Sequence, residues 1–201
     1  MLYFVTDRKV AVKDFYQIVQ EAVAAGVDGI ILREKDLIQK DLYSMAKRVR
    51  AIVKGTDTKL MINGNLSVAR EVKAQGYHMG FEKFMEEESK NLNDFPGTIG
   101  VSVHSVGEAK TAEKKGADYL LAGHVFETSC KKGLEPRGIP WLMEIIEEVN
   151  IPLIAIGGID QKNVNQLQSI GLHGIAVRSL IMESSEAKSI VKSLRRQWLG
   201  D

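Results

Sequence analysis

The chain has 201 residues, which fits one large domain or two small ones, and at 44% hydrophobic and 26% charged its composition is close to that of a soluble globular protein. A formal net charge of +1, with lysine and arginine dispersed, argues against general attraction to nucleic acid or acidic membranes. One cysteine, Cys130, excludes an intramolecular disulfide, and no apolar run nears the ~20 residues that cross a bilayer. With Met1-Leu2-Tyr3-Phe4 reaching Asp7 within three residues, no signal peptide is read, and a cytoplasmic protein is expected.

In chain order, Leu2 to Val5 is a short apolar strand that ends at Thr6-Asp7-Arg8. Asp14 to Ala25 follows as a helix, with Phe15, Ile18, Val19, Ala22 and Val23 on one face at helical spacing. "AAGVDGIIL" then passes through Gly26 into a second strand ending at Arg33-Glu34-Lys35. After a helix over Leu42 to Val53, Leu60 to Ile62 forms strand three, ending at Asn63-Gly64-Asn65. "AQGYHMG" supplies strand four, ending at Met79-Gly80, and the helix after it, Phe84 to Asn91, is short and acidic. Thr98 to Val103 is strand five, closing on His104, and "KKGADYLLA" leads into strand six, closing on Gly123-His124. Pro152 to Ile156 ends at Gly157-Gly158; after a helix over Val164 to Ile170, "SIGLHGIAV" ends at Arg178-Ser179.

Four of these segments share one pattern: a helix end, a glycine (Gly26, Gly76, Gly116 or Gly171), then a hydrophobic strand. A glycine just past a helix suits the left-handed position where Cβ strains other residues. Strands alternating with helices demand parallel pairing through crossovers. Eight such units with fourfold similarity, and no linker rich in proline, glycine or serine, predict an α/β fold. The expectation is a single compact (β/α)8 TIM barrel over residues 1–201.

Chemistry in such barrels sits at the C-terminal strand ends, so the rim residues are the candidates. Gly157 and Gly158 after strand seven, with Arg178 and Ser179 opening a short helix after strand eight, form the expected phosphate site. Alternation places Arg33 and Lys35 on one face, suited to an anionic substrate group, and Glu34 on the other. His124 stands at the mouth, and an imidazole can take and return a proton near neutral pH. His104 ends strand five, where it either touches a ligand or fills a structural role. His78 lies within strand four as a packing residue, and His173 reads as structural. No metal site is read: the histidines lack ligand spacing, and Glu86-Glu87-Glu88 is a solvated face. No P-loop or dinucleotide fingerprint is present, and no cofactor is expected.

"YFVTDR", "ILREKD", "GVSVHS", "GHVFETSCKKG" and "AIGGI" together resemble the thiamin phosphate synthase/TenI family across nearly the whole chain. The resemblance implies a barrel, a thiazole phosphate ligand, and a homodimer or other homo-oligomer. Its synthase branch joins a pyrimidine pyrophosphate to thiazole phosphate with magnesium; its TenI branch resembles a thiazole tautomerase. Ile31 stands where synthases usually carry glutamine, Gly64 and Lys83 where they carry aspartates, and His124 where they carry proline. On those departures the expected function is tautomerisation of a carboxythiazole phosphate, with His124 moving the proton. Asn63, Ser102, His104 and Lys131 join Arg33 and Lys35 in the expected substrate-binding set. A thiamin phosphate synthase and a non-catalytic phosphate-ligand-binding regulator are the alternatives.

Overall fold

Strand residues alternate between two environments, and that alternation builds the molecule. In this computed structural model, which describes residues 1–129 and 133–200 (Ser89 by its backbone alone), eight parallel strands close into a barrel. They are β1 (Leu2–Val5), β2 (Gly29–Leu32), β3 (Lys59–Asn63), β4 (Gly76–Gly80), β5 (Thr98–Val103), β6 (Tyr119–Gly123), β7 (Leu153–Ile156) and β8 (Gly174–Val177). Each pairs with its sequence neighbour, and β8 returns to β1. The single (β/α)8 barrel expected from the repeat is the fold observed.

Tyr3, Val5, Ile31, Met61, Tyr119, Leu121, Ile154 and Ala176 fill the barrel axis. The other face of each strand packs under the helices α1 (Phe15–Ala24), α2 (Gln39–Val53), α3 (Leu66–Glu71), α4 (Phe81–Glu86), α5 (Ser89–Asn93), α6 (Val106–Lys114), α7 (Gly138–Glu148), α8 (Ser179–Met182) and α9 (Ala187–Leu199). In α1 the predicted stripe is largely kept: Phe15, Ile18, Val19 and Ala22 are buried. Asp14 caps that helix, its carboxylate accepting from Gln17 N at 2.9 Å, which satisfies one orphan amide of the first turn. The weak fourth helix divides into α4 and α5, and the segment after β7 is a 3-10 turn over Val164–Leu167.

Gly26, Gly116 and Gly171 have the positive φ expected of them (90°, 95° and 88°). Gly76 does not: it begins β4, and the left-handed residue at that helix end is Lys73, with φ 52°. A Cβ at Gly76 would lie 2.5 Å from Met61 Cγ. The glycine is therefore required by packing inside a narrow barrel, where a large side chain on one strand needs an absent one on the next.

Among the described residues, no helix is long and apolar enough to cross a membrane. Cys130 and the expected substrate-binding Lys131 lie outside the described residues.

Candidate functional site

Strand order and parity bring most of the predicted rim to one place. A cavity of about 320 Å³ opens at the C-terminal mouth over an apolar floor that includes Ile31, Leu121 and Ala176. Arg33, Asn63, Ser102, His104 and His124 line it, as do Gly157, Gly158, Arg178 and Ser179. Lys35 is not among its lining residues. It faces an adjoining cavity of about 560 Å³ with Gly64, Phe81, Glu82 and Lys83, and the two cavities share Asn63 and His104. The two cations expected to serve one group thus stand in different cavities, because Arg33 and Lys35 follow the end of β2 and are no longer held to strand alternation.

Glu34, expected on the opposite face, is buried and holds the loop in place. Its carboxylate accepts from Thr6 Oγ1 at 2.8 Å and from Arg8 N at 3.1 Å, and it pairs with Arg8 Nη1 at 3.1 Å. Thr6 Oγ1 in turn accepts from Arg33 N at 3.0 Å, so a buried carboxylate fixes the backbone carrying Arg33. The Arg8 guanidinium also forks onto Asp36 with two contacts of 2.7 Å, which hold the Asp36 carboxyl well below the usual carboxylate range.

His124 is 3% exposed, deeper than a rim position suggested. Its Nε2 lies 3.2 Å from the Leu134 carbonyl oxygen, which can only accept, so this nitrogen carries the ring proton. Nδ1 is buried and has no hydrogen-bond partner among the described residues. His104 is more open: its backbone N donates to Glu108 Oε2 at 2.7 Å, and its carbonyl accepts from Arg137 Nε at 2.8 Å.

The two loops expected to take phosphate do flank the first cavity. Gly157 and Gly158 have φ 104° and 69°, and each also fits a close approach of backbone. A Cβ at Gly158 would stand 2.4 Å from Glu127 O. Asp160 and Asn163 stiffen this turn: Asn163 Nδ2 donates to Gly158 O at 2.7 Å, and Asp160 N donates to Asn163 Oδ1 at 2.9 Å. Arg178 forms an ion pair with Asp7 across 3.3 Å, linking the end of β8 to the end of β1.

A hard divalent cation needs oxygen ligands. Among the described residues, no group of three His, Cys, Asp or Glu side chains could hold one. Lys83 Nζ donates to Gly64 O at 2.7 Å, joining the two positions where carboxylates were sought. Of the acidic side chains lining the second cavity, Glu34 and Glu108 are already engaged, which leaves Glu82 as a single carboxylate. The residues present do not fit a protein-held magnesium ion.

Two groups escaped the sequence reading. His78, expected to pack, lines the first cavity, with Nε2 2.8 Å from Ser102 Oγ and Nδ1 3.0 Å from Tyr119 Oη. Tyr119 sits in β6 as an apolar strand residue, and only the register of three strands reveals its polar end.

A closed barrel with polar side chains and paired glycine and serine loops around a cavity at its C-terminal mouth is a (β/α)8 enzyme scaffold. The chain matches the thiamine monophosphate synthase (TMP-TENI) family over residues 2–181, and it belongs to that family of enzymes. It is 40% identical to the thiamine-phosphate synthase of Pyrococcus abyssi over 196 residues, 97% of this chain and 93% of the relative. With that of Clostridium tetani it shares 35% identity over 194 residues, 96% and 93% of the two chains. The solved structure of thiamine phosphate pyrophosphorylase from Pyrococcus furiosus superposes with a TM-score of 0.87 at 34% identity, covering 99% of this chain and 95% of that one. These relatives overturn the tautomerase expectation. That expectation rested on four positions (Ile31, Gly64, Lys83 and His124), whereas the likeness to synthases runs the length of the barrel.

Proposed function

We propose that the chain acts as a thiamine-phosphate synthase, a transferase joining pyrimidine pyrophosphate to thiazole phosphate with release of pyrophosphate. The observation that carries the reading beyond its relatives is the pair of adjoining cavities sharing Asn63 and His104. Two anionic substrates that must meet need two connected compartments; a one-substrate isomerisation needs one.

In this reading the phosphate of thiazole phosphate lies at Gly157, Gly158 and Ser179, with the ring over the apolar floor. The pyrophosphate lies toward the second cavity, between Arg33 on one side and Lys35 and Lys83 on the other. The bond from the pyrimidine methylene carbon to the pyrophosphate oxygen breaks, and that carbon joins the thiazole nitrogen. Charge on the departing oxygen is met by fixed cations aimed where it develops.

The test is to incubate the protein with both substrates and magnesium and follow pyrophosphate release, with thiazole phosphate omitted as the control. Release that depends on both substrates is expected, within the roughly 1–10³ s⁻¹ range of ordinary enzymes. Absence of release with both present would overturn the assignment.

A further inference from the structure

Tyr119, His78 and Ser102 form a chain of contacts through the barrel interior, from β6 across β5 to β4 and back to β5. The crossing is possible because Gly100, paired with both His78 and Tyr119, has no side chain. A Cβ there would lie 2.0 Å from Tyr119 Cζ. His78 is 1% exposed and Tyr119 7%, and their rings stack at 5.6 Å between centroids. Ser102 ends the chain at the first cavity, which His78 also lines.

Each group in this chain has few protons, so the direction of every bond can be worked out. The Tyr119 phenol keeps its proton, since burial and then the nearby Tyr3 push its pKa up. His78 stays neutral: burial, reinforced by the Arg33 charge, lowers it to about 3. A neutral imidazole has one N–H and one bare nitrogen. The buried phenol donates to Nδ1, so the ring proton is on Nε2 and is donated to Ser102 Oγ. The opposite order would leave the buried phenol proton without an acceptor among the described residues.

We infer that Tyr119 and His78 are positioning residues that orient the Ser102 hydroxyl proton into the first cavity, making Ser102 a fixed hydrogen-bond donor that selects a ligand with an acceptor atom at that point. Such an acceptor is a ring nitrogen, a carbonyl or a phosphate oxygen. The same direction excludes a nucleophilic serine, because a nitrogen already donating to Oγ cannot take its proton. The identity of the selected ligand rests on the synthase reading; the proton order does not.

Histidine labelled with nitrogen-15 separates the two. In the unmodified protein, proton–nitrogen correlation spectra should show His78 neutral between pH 5 and 8, with the proton on Nε2. A proton on Nδ1, or a charged ring, overturns the inference whatever the protein catalyses. Thiazole phosphate binding, measured by calorimetry, supplies the second arm. Ser102→Ala and Tyr119→Phe should each weaken binding about tenfold, the double variant no further, and Ser102→Thr should restore it. Unchanged affinity in Ser102→Ala also overturns the inference. Absence of turnover in a parent that shows the Nε2 proton would count against the synthase reading alone.

Discussion

Glu34 shows how one buried side chain can matter to a site it does not enter. Its two oxygens tie Thr6 and Arg8, after β1, to the segment after β2, and Thr6 passes that constraint to the Arg33 backbone. Replacing it with alanine leaves Thr6 Oγ1 and Arg8 N without their acceptor and the Arg8 guanidinium with Asp36 alone. Hydrogen bonds to a charged group are each worth about 1.5–3 kcal/mol, and a loss of at least that size is expected for Glu34→Ala in urea unfolding. Glu34→Gln, which keeps one acceptor oxygen, should lose less. If Glu34→Ala unfolds at the same urea concentration as the parent, the carboxylate is not what holds this loop. His124 makes a related point: at 3% exposure it is part of the wall, with a buried Nδ1 that has no partner among the described residues.

At the scale of elements, the turn after β7 is held by two different demands on glycine. Gly158 has a positive φ, and the space a Cβ would need is taken by the carbonyls of Phe126 and Glu127. Because those atoms are backbone, Gly158→Ala must move the turn, and overpacking of this kind costs about 1–3 kcal/mol. The same movement should weaken binding of thiazole phosphate while leaving the weak binding of its dephosphorylated analogue unchanged. Calorimetry on both compounds checks this, and equal losses for the two would mean that the turn does not hold the phosphate. This turn was legible in the sequence because a double glycine at a strand end has few uses. The strands after Gly26, Gly116 and Gly171 were legible for a similar reason, being apolar runs that follow helix-ending glycines, and Thr98–Val103, an apolar run without one, also matches its expected bounds. Gly76 was misread because packing against Met61 leaves the same residue in the sequence as a helix cap does. The separation of Arg33 from Lys35 was hidden because strand alternation stops where β2 stops. The Tyr119–His78–Ser102 chain was hidden too, since it depends on the register of β4, β5 and β6.

For the molecule as a whole, closing eight short strands buries a titratable group, His78, to 1% exposure at the floor of the mouth. Tyr3 lies over Gly29, Met61 over Gly76 and Tyr119 over Gly100, packing the barrel beneath the cavity and enclosing His78. That burial couples global stability to pH. The His78 imidazole titrates at about 3 in the folded chain, against 6.5 for an ordinary histidine. Below pH 6.5 the unfolded chain therefore binds a proton that the folded chain refuses, and stability falls as pH falls until the folded value is reached. Its contribution is complete above pH 6.5 and is lost between 6.5 and about 3. The slope set by one such group is roughly 1.4 kcal/mol per pH unit. His173 is also lowered by burial and adds in the same direction, while Asp36 and Glu21, held low by their cationic partners, act at more acidic pH. A His78→Gln variant keeps those three groups and removes only His78, so the difference in slope isolates it. Urea unfolding from pH 7 to pH 4.5 should show the parent losing stability faster than the variant by that roughly 1.4 kcal/mol per unit. Parallel curves would mean that His78 takes up its proton in the folded barrel at an ordinary pH, and the closed axis would then have to admit water.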